Sequence, residues 1–202
     1  MTTTGRLILS ALVLQFLFVL GGCKKSSLSN AGSQAQPSSS PISNLAGAPR
    51  LDACSLLTKE EVAEVQGSPI TQTNSSTDAQ GPFVVSQCYF AAAETNKSVS
   101  LAVTQANPDS SDKQSVDGYW NETFGRFRDG KDEAKEEEEK AHPPRKIEEI
   151  GAEAYWSTNL VSASLYFLKN GTVVRLSLGG PDDEEKKISK SKTLAQKIIT
   201  RM

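Results

Sequence analysis

Ala163-Ser164-Leu165-Tyr166-Phe167-Leu168-Lys169-Asn170-Gly171-Thr172-Val173-Val174-Arg175-Leu176-Ser177-Leu178 is the stretch whose reading decides the fold. Asn170-Gly171 is a strong type I′ turn signal, because both residues tolerate positive φ. Counting outward pairs Phe167 with Val174, Leu165 with Leu176 and Ala163 with Leu178 on one face. Tyr166 then meets Arg175, and Ser164 meets Ser177, on the other. A one-residue slip would exchange every side chain between faces, so this separation predicts an antiparallel hairpin with one apolar side. A second hairpin is expected upstream. With Thr95-Asn96 as its turn, Ala92 pairs with Val99, Phe90 with Leu101 and Cys88 with Val103. Ser98, Ser100 and Thr104 then point away.

Three helices flank these hairpins. Thr58-Lys59-Glu60-Glu61 has the capping-box pattern, and the helix it starts should run to Gln66 and stop at Gly67, with Pro69 beyond. Val116, Tyr119, Trp120, Phe124 and Phe127 recur at helical spacing. They read as an apolar stripe on the sheet rather than as a stacking platform for a sugar or base. Glu153-Ala154-Tyr155-Trp156 starts a strand. The last helix begins near Asp182, with acids first and lysines later to match the helix dipole. Ile188, Ala195, Ile198 and Ile199 give it one apolar face.

The N-terminal region is of a different kind. Arg6 precedes an apolar run from Leu7 to Leu20, broken by Ser10 and Gln15. That run is shorter than the roughly 20 residues a spanning helix needs, and it reads as an export signal over residues 1–22. Leu20-Gly21-Gly22-Cys23 resembles the lipobox of bacterial lipoproteins. The resemblance implies cleavage before Cys23 and lipidation of its thiol, with the fatty chains as the membrane anchor. Lys24 follows where aspartate would resemble an inner-membrane retention signal. The expected location is therefore the outer membrane of a cell with two membranes, and otherwise the outer face of the cell membrane. Residues 23–49 read as the lipidated cysteine followed by a Ser/Pro/Gly/Ala tether, which offers too little apolar surface to offset its ordering entropy. Such a tether spans roughly 25–30 Å.

With Cys23 lipidated, Cys54 and Cys88 remain, and an even pair in an exported domain reads as a disulfide. The expected fold class is α+β. Residues 50–202 form a single small domain of antiparallel hairpins packed against N-terminal, middle and C-terminal helices, with one disulfide. A charged loop or helix is expected over 129–146, where DGKDEAKEEEEK places acids at 132–139.

Asp52-x-Cys54-Ser55-Leu56-Leu57-Thr58-x-x-Glu61-Val62, Gly67 and Cys88-Tyr89 resemble a group of small bacterial lipoproteins whose domain has no assigned function. Gly151-x-x-Ala154-Tyr155, the closing hairpin and Leu194-Ala195 in the final helix extend the likeness over most of 51–202. The resemblance implies an extracytoplasmic α+β domain with Cys54 paired to Cys88, and it carries over no catalytic residue. The acidic stretch before His142 departs from it and reads as an insertion.

Composition narrows the function classes. A net charge of -2, with basic residues scattered among acidic ones, gives no draw toward nucleic acid. The single histidine, His142, excludes a multi-histidine metal site. The chain lacks G-x-x-x-x-G-K, G-x-G-x-x-G and G-x-S-x-G, so phosphate cradles and a nucleophile elbow have no support. S-x-x-K occurs at Ser110–Lys113 and Ser189–Lys192, without the partner motifs of penicillin-binding enzymes. No catalytic residue, metal or cofactor is expected. The leading expectation is a non-enzymatic envelope lipoprotein that binds or assists an unknown envelope protein or polymer. The alternative is a hydrolase acting on wall polymer or glycan through carboxylates.

Overall fold

A computed structural model describes residues 49–79, 81–128, 143–158 and 162–202. The signal segment, Cys23, most of the tether and the acidic run 132–139 lie outside the described residues.

The Asn170-Gly171 turn forms as the chemistry requires, with φ of 48° and 64°. It joins β6 (Ala163–Lys169) to β7 (Thr172–Leu178) in the expected register, Phe167 opposite Val174 and Leu165 opposite Leu176. Upstream, β2 (Phe83–Ala92) pairs with β3 (Val99–Ala106), but two residues away from expectation. Phe90 faces Val99, Cys88 faces Leu101 and Ser86 faces Val103. Thr95–Lys97 is a 3-10 turn rather than part of a two-residue loop. The Ser98 hydroxyl closes this connection, accepting from the Ala92 amide at 3.2 Å and donating to the Thr95 carbonyl at 2.8 Å. A shift of two keeps every residue on its expected face, because the side-chain period of a strand is two.

The two hairpins join through β3 and β7, which pair antiparallel. With β1 (Ile70–Asp78), β4 (Arg145–Lys146) and β5 (Glu153–Thr158) they form one sheet of seven antiparallel strands, in the order β1-β2-β3-β7-β6-β5-β4. β1 and β4 were not foreseen. Ile-Thr-Gln-Thr-Asn-Ser-Ser-Thr-Asp shows no apolar alternation, and β1 is an exposed edge held by the backbone of β2. The charged region expected over 129–146 ends earlier, since Arg145 and Lys146 pair with β5.

One sheet face carries the main core. Cys88, Phe90, Leu101, Phe167, Val174 and Leu176 are buried beneath α1 (Lys59–Gln66) and α3 (Glu184–Ile199). α1 starts at the predicted capping box: the Thr58 side chain accepts from the Glu61 amide, and Glu61 reaches back to the Thr58 amide. It ends at Gly67 in the left-handed region. α3 buries Ile188, Ser191, Leu194, Ala195 and Ile198, one stripe at helical spacing. Its cap is Asp183, one residue beyond the expected start. α2 (Val116–Phe124) covers part of the opposite face, with Val116, Trp120 and Phe124 buried against Tyr155 and Val173. The aromatic stripe is core packing.

Cys54 and Cys88 form a disulfide with Cα atoms 5.0 Å apart. Cys54 sits in a 3-10 turn, Ala53–Ser55, capped by the Asp52 carboxylate, which accepts from the Cys54 amide at 3.0 Å. The bond closes a loop with a sequence separation of 34. Replacing both cysteines with serine should lower the unfolding free energy by about 3–4 kcal/mol in denaturant titrations, because the unfolded chain regains loop entropy.

Two glycines separate conformational from steric cost. A Cβ at Gly67, φ +65°, would meet nothing within 4 Å. At Gly179 it would lie 2.2 Å from the Asn96 carbonyl oxygen, where β7 leaves the sheet beside the β2–β3 connection. The same denaturant measurement should show Gly67→Ala costing about 1 kcal/mol and Gly179→Ala about 3 kcal/mol.

Candidate functional site

The site is built on the sheet face opposite the main core. Side-chain alternation places Gln87, Tyr89, Ser100, Arg175 and Ser177 together there. Ser100 lies directly between Tyr89 and Ser177, and Ala102 directly between Gln87 and Arg175. α2 packs at the other end of this face, over Val173 and Leu168. Gln87 is exposed, and Tyr89, 42% exposed, is the one exposed large hydrophobic side chain among the described residues.

Arg175 stands apart within this group. Half-buried on β7, it faces Tyr166 on one side and Ala102 on the other. Its Nε is buried and has no hydrogen-bond partner among the described residues. A buried polar nitrogen left unpaired is costly and uncommon in native proteins.

The carboxylate that Trp120 of α2 reaches is, by contrast, fully engaged. Glu153 opens β5 with its side chain only 12% exposed. Its Oε1 accepts from Arg128 Nε at 2.9 Å and from the Tyr155 hydroxyl at 2.8 Å. Its Oε2 accepts from Trp120 Nε1 at 2.7 Å and from Arg128 Nη2 at 2.6 Å. The Arg128 hydrogen bonds, above all, hold its pKa down at about 2 against an ordinary 4.5, with Trp120 and Tyr155 adding to the effect. Gly125–Phe127 continues α2 as a 3-10 turn, and Arg128 follows directly. The network thus fastens the end of α2 to β5.

Two depressions lie near residues 145–153. One, of about 480 Å³, is lined by Arg128, Lys146, Glu148, Gly151, Glu153 and Leu168 among others. The other, of about 660 Å³, is lined by Arg145, Lys146, Glu149, Glu185, Ser189 and Lys192 among others. Their cations are neutralised in place. Arg145 is paired with Glu185, Lys146 with Glu148 at 3.4 Å and Lys192 with Glu149 at 3.7 Å. A carboxylate with a pKa of about 2 is not a proton donor at neutral pH, so Glu153 does not supply the general acid of a glycosidase.

Ser189 is exposed, and its S-x-x-K partner Lys192 is the lysine paired with Glu149. Lys113 donates to the Ser110 carbonyl at 2.6 Å, an interaction within its own exposed turn. Neither arrangement activates a serine. Among the described residues no group of three or more His, Cys, Asp or Glu side chains could hold a metal ion. Arg175, the residue of most interest, was visible in the sequence only as the outward partner of Tyr166, because periodicity reports a face and not what covers it. Comparison with protein-family models, curated proteins and solved structures finds no match to this chain.

The Glu153 network sets a pH dependence. A carboxylate whose folded pKa is depressed stabilises the fold above its unfolded pKa and loses that contribution as pH falls from about 4.5 through about 2. Glu153→Gln should lower stability at neutral pH by about 2 kcal/mol, since Trp120, Tyr155 and Arg128 lose a charged acceptor and Arg128 is itself partly screened by solvent. It should also flatten the acid limb between pH 5 and 2. Denaturant titrations across that range check both effects.

Proposed function

We propose that the chain is a bacterial envelope lipoprotein. It is exported, cut before Cys23, acylated on that cysteine and held at a membrane surface, with residues 50–202 acting as a non-enzymatic binding module. The observation that carries this reading is Leu20-Gly21-Gly22-Cys23 at the end of an apolar run. The Cys54–Cys88 crosslink supports it, because structural disulfides persist in oxidising compartments. The tether carries the domain clear of the headgroups, toward a polymer or protein of the envelope. No described helix is long and apolar enough to cross a membrane, so the lipid on Cys23 is the proposed attachment.

Cys23→Ser tests the anchor. Cells fed a fatty-acid probe should label the wild-type chain and leave the variant unlabelled, with the variant lost from the membrane fraction or stalled as its precursor. Equal label on both proteins would overturn the proposal.

A further inference from the structure

We propose that β1 pairs with β1 of a second copy of this chain. The two strands run antiparallel about a two-fold axis at Ser75, so that two sheets join edge to edge. The seam uses the sheet edge alone and is independent of the proposed anchor.

The two edges of the sheet are built differently. At one, β4 is two residues long, both are cations, and Pro143-Pro144 precedes them. Short length, charge and proline are the devices that keep a sheet edge from pairing with another chain. At the other edge β1 runs for nine residues, Ile70–Asp78, with no proline, lysine or arginine. Its one charge, Asp78, is the last residue, and its bulge lies at the opposite end, between Ile70 and Gln72. From Gln72 to Thr77 the edge is regular and uncharged, and every residue there except Thr73 is exposed.

Hydrogen-bond alternation fixes which backbone groups this edge presents. The Asn107 amide donates to the Pro82 carbonyl at 2.8 Å. Along the β2–β3 register the bonded pairs are then those of Val84, Ser86, Cys88 and Phe90. Gln87, Tyr89 and Ala91 therefore bond the other way, to Ser76, Asn74 and Gln72 of β1. Thr73, Ser75 and Thr77 are left with N–H and C=O directed away from β2, at the end of the sheet order.

That pattern selects a second copy. A two-fold axis at Ser75 sets Ser75 opposite itself and Thr73 opposite Thr77 of the other copy, so every outward donor and acceptor of both strands is paired. Moving the register by two residues sets Thr77 against the bulge or Thr73 beyond Asp78. The side chains agree with the axis: Thr73 meets Thr77, Asn74 meets Ser76 and Gln72 meets Asp78, and the two Asp78 carboxylates lie at opposite ends. Such self-complementarity is what an isologous contact requires. A strand added from an unrelated peptide takes its specificity from side-chain pockets beside the edge. The two depressions described above lie by β4, at the other edge.

A single-strand seam is smaller than a standard interface, so the dimer should form with rising concentration. The test is sedimentation and hydrogen exchange of the full chain in detergent, from about 1 μM to about 1 mM. The protein mass should double across the series. The amides of Thr73, Ser75 and Thr77 should slow in parallel by about tenfold or more, while those of Gln72, Asn74 and Ser76 stay slow throughout. Ser75→Pro removes an outward donor and no bond between β1 and β2, so it should stay a monomer with little change in melting temperature. Asn74→Pro removes a bond to Tyr89 and should lower the melting temperature instead.

Two cysteine variants fix the register without relying on a proline. Asn74→Cys and Ser76→Cys lie on the face away from the Cys54–Cys88 crosslink. Mixed and treated with oxidised glutathione, they should give a disulfide-linked dimer, because opposed residues of a non-bonded pair have Cα atoms about 4.5 Å apart. Either variant alone should not, its two copies being about 8 Å apart. Wild type that stays a monomer to about 1 mM, or a dimer that persists in Ser75→Pro, overturns the proposal. Self-linking by either cysteine variant overturns the axis at Ser75. Slow exchange at Thr73, Ser75 and Thr77 at every concentration, with the mass of a monomer, overturns the second copy in favour of another segment of the same chain.

Discussion

The pairing of β3 with β7 is the constraint on which the rest of the structure depends. It joins Val99–Thr104 to Val173–Leu178, residues far apart in sequence, and it turns two separate meanders into one sheet. Leu101 against Leu176 and Val103 against Val174 put the apolar rows of both hairpins on a single surface wide enough for α1 and α3. The end of this seam is sealed by polar contacts. The Gly179 amide donates to the Ser98 carbonyl at 3.0 Å, and the buried Gln66 side chain donates to the carbonyls of Lys97 and Gly179. α1 is thereby tied to both hairpins at the one place where they meet.

Carboxylates in this domain serve as fasteners. Glu61 completes the capping box of α1 and also accepts from Arg201, beyond the end of α3. The Arg201 hydrogen bond above all holds Glu61 at a pKa of about 2. Arg201 donates as well to the Leu56 carbonyl at 2.7 Å, so the two ends of the domain close on each other. Glu153 does the same for α2 and β5. Two depressed carboxylates, each held by an arginine, join helices that have little sequence proximity to what they touch.

The residues on which the proposed likeness to small lipoproteins rests have physical roles in the fold. Asp52 caps the turn holding Cys54, Thr58 and Glu61 form the box, and Val62 is fully buried. Gly151 has φ +59°, and a Cβ there would lie 2.4 Å from the Leu168 carbonyl oxygen. Ala154 packs in the core. Every one of these residues shapes or braces the fold.

Much of the fold was legible because it rests on local chemistry. The Asn170-Gly171 turn, the Thr58–Glu61 box, the start of α3 near Asp182 and the stripe of α3 each depend on residues a few positions apart, and each formed within a residue or two of expectation. The face of every residue in the first hairpin was also readable, since alternation survives a shift of two. Its register was not, because the Ser98 hydroxyl and the 3-10 turn at Thr95–Lys97 decide it through hydrogen bonds that alternation does not encode. β1 was invisible for a related reason: a polar edge strand is held by its neighbour's backbone, which leaves no mark on its side chains. The sequence by itself determined the class, the helices, the disulfide and the outward position of Arg175. Only the tertiary structure decided that α2 packs over Tyr155 and Val173, that Glu153 is spent on Arg128, and that the Arg175 Nε is buried without a partner among the described residues. Those outcomes depend on which distant elements compete for each charge, and that competition is settled by packing across the sheet rather than by order along the chain.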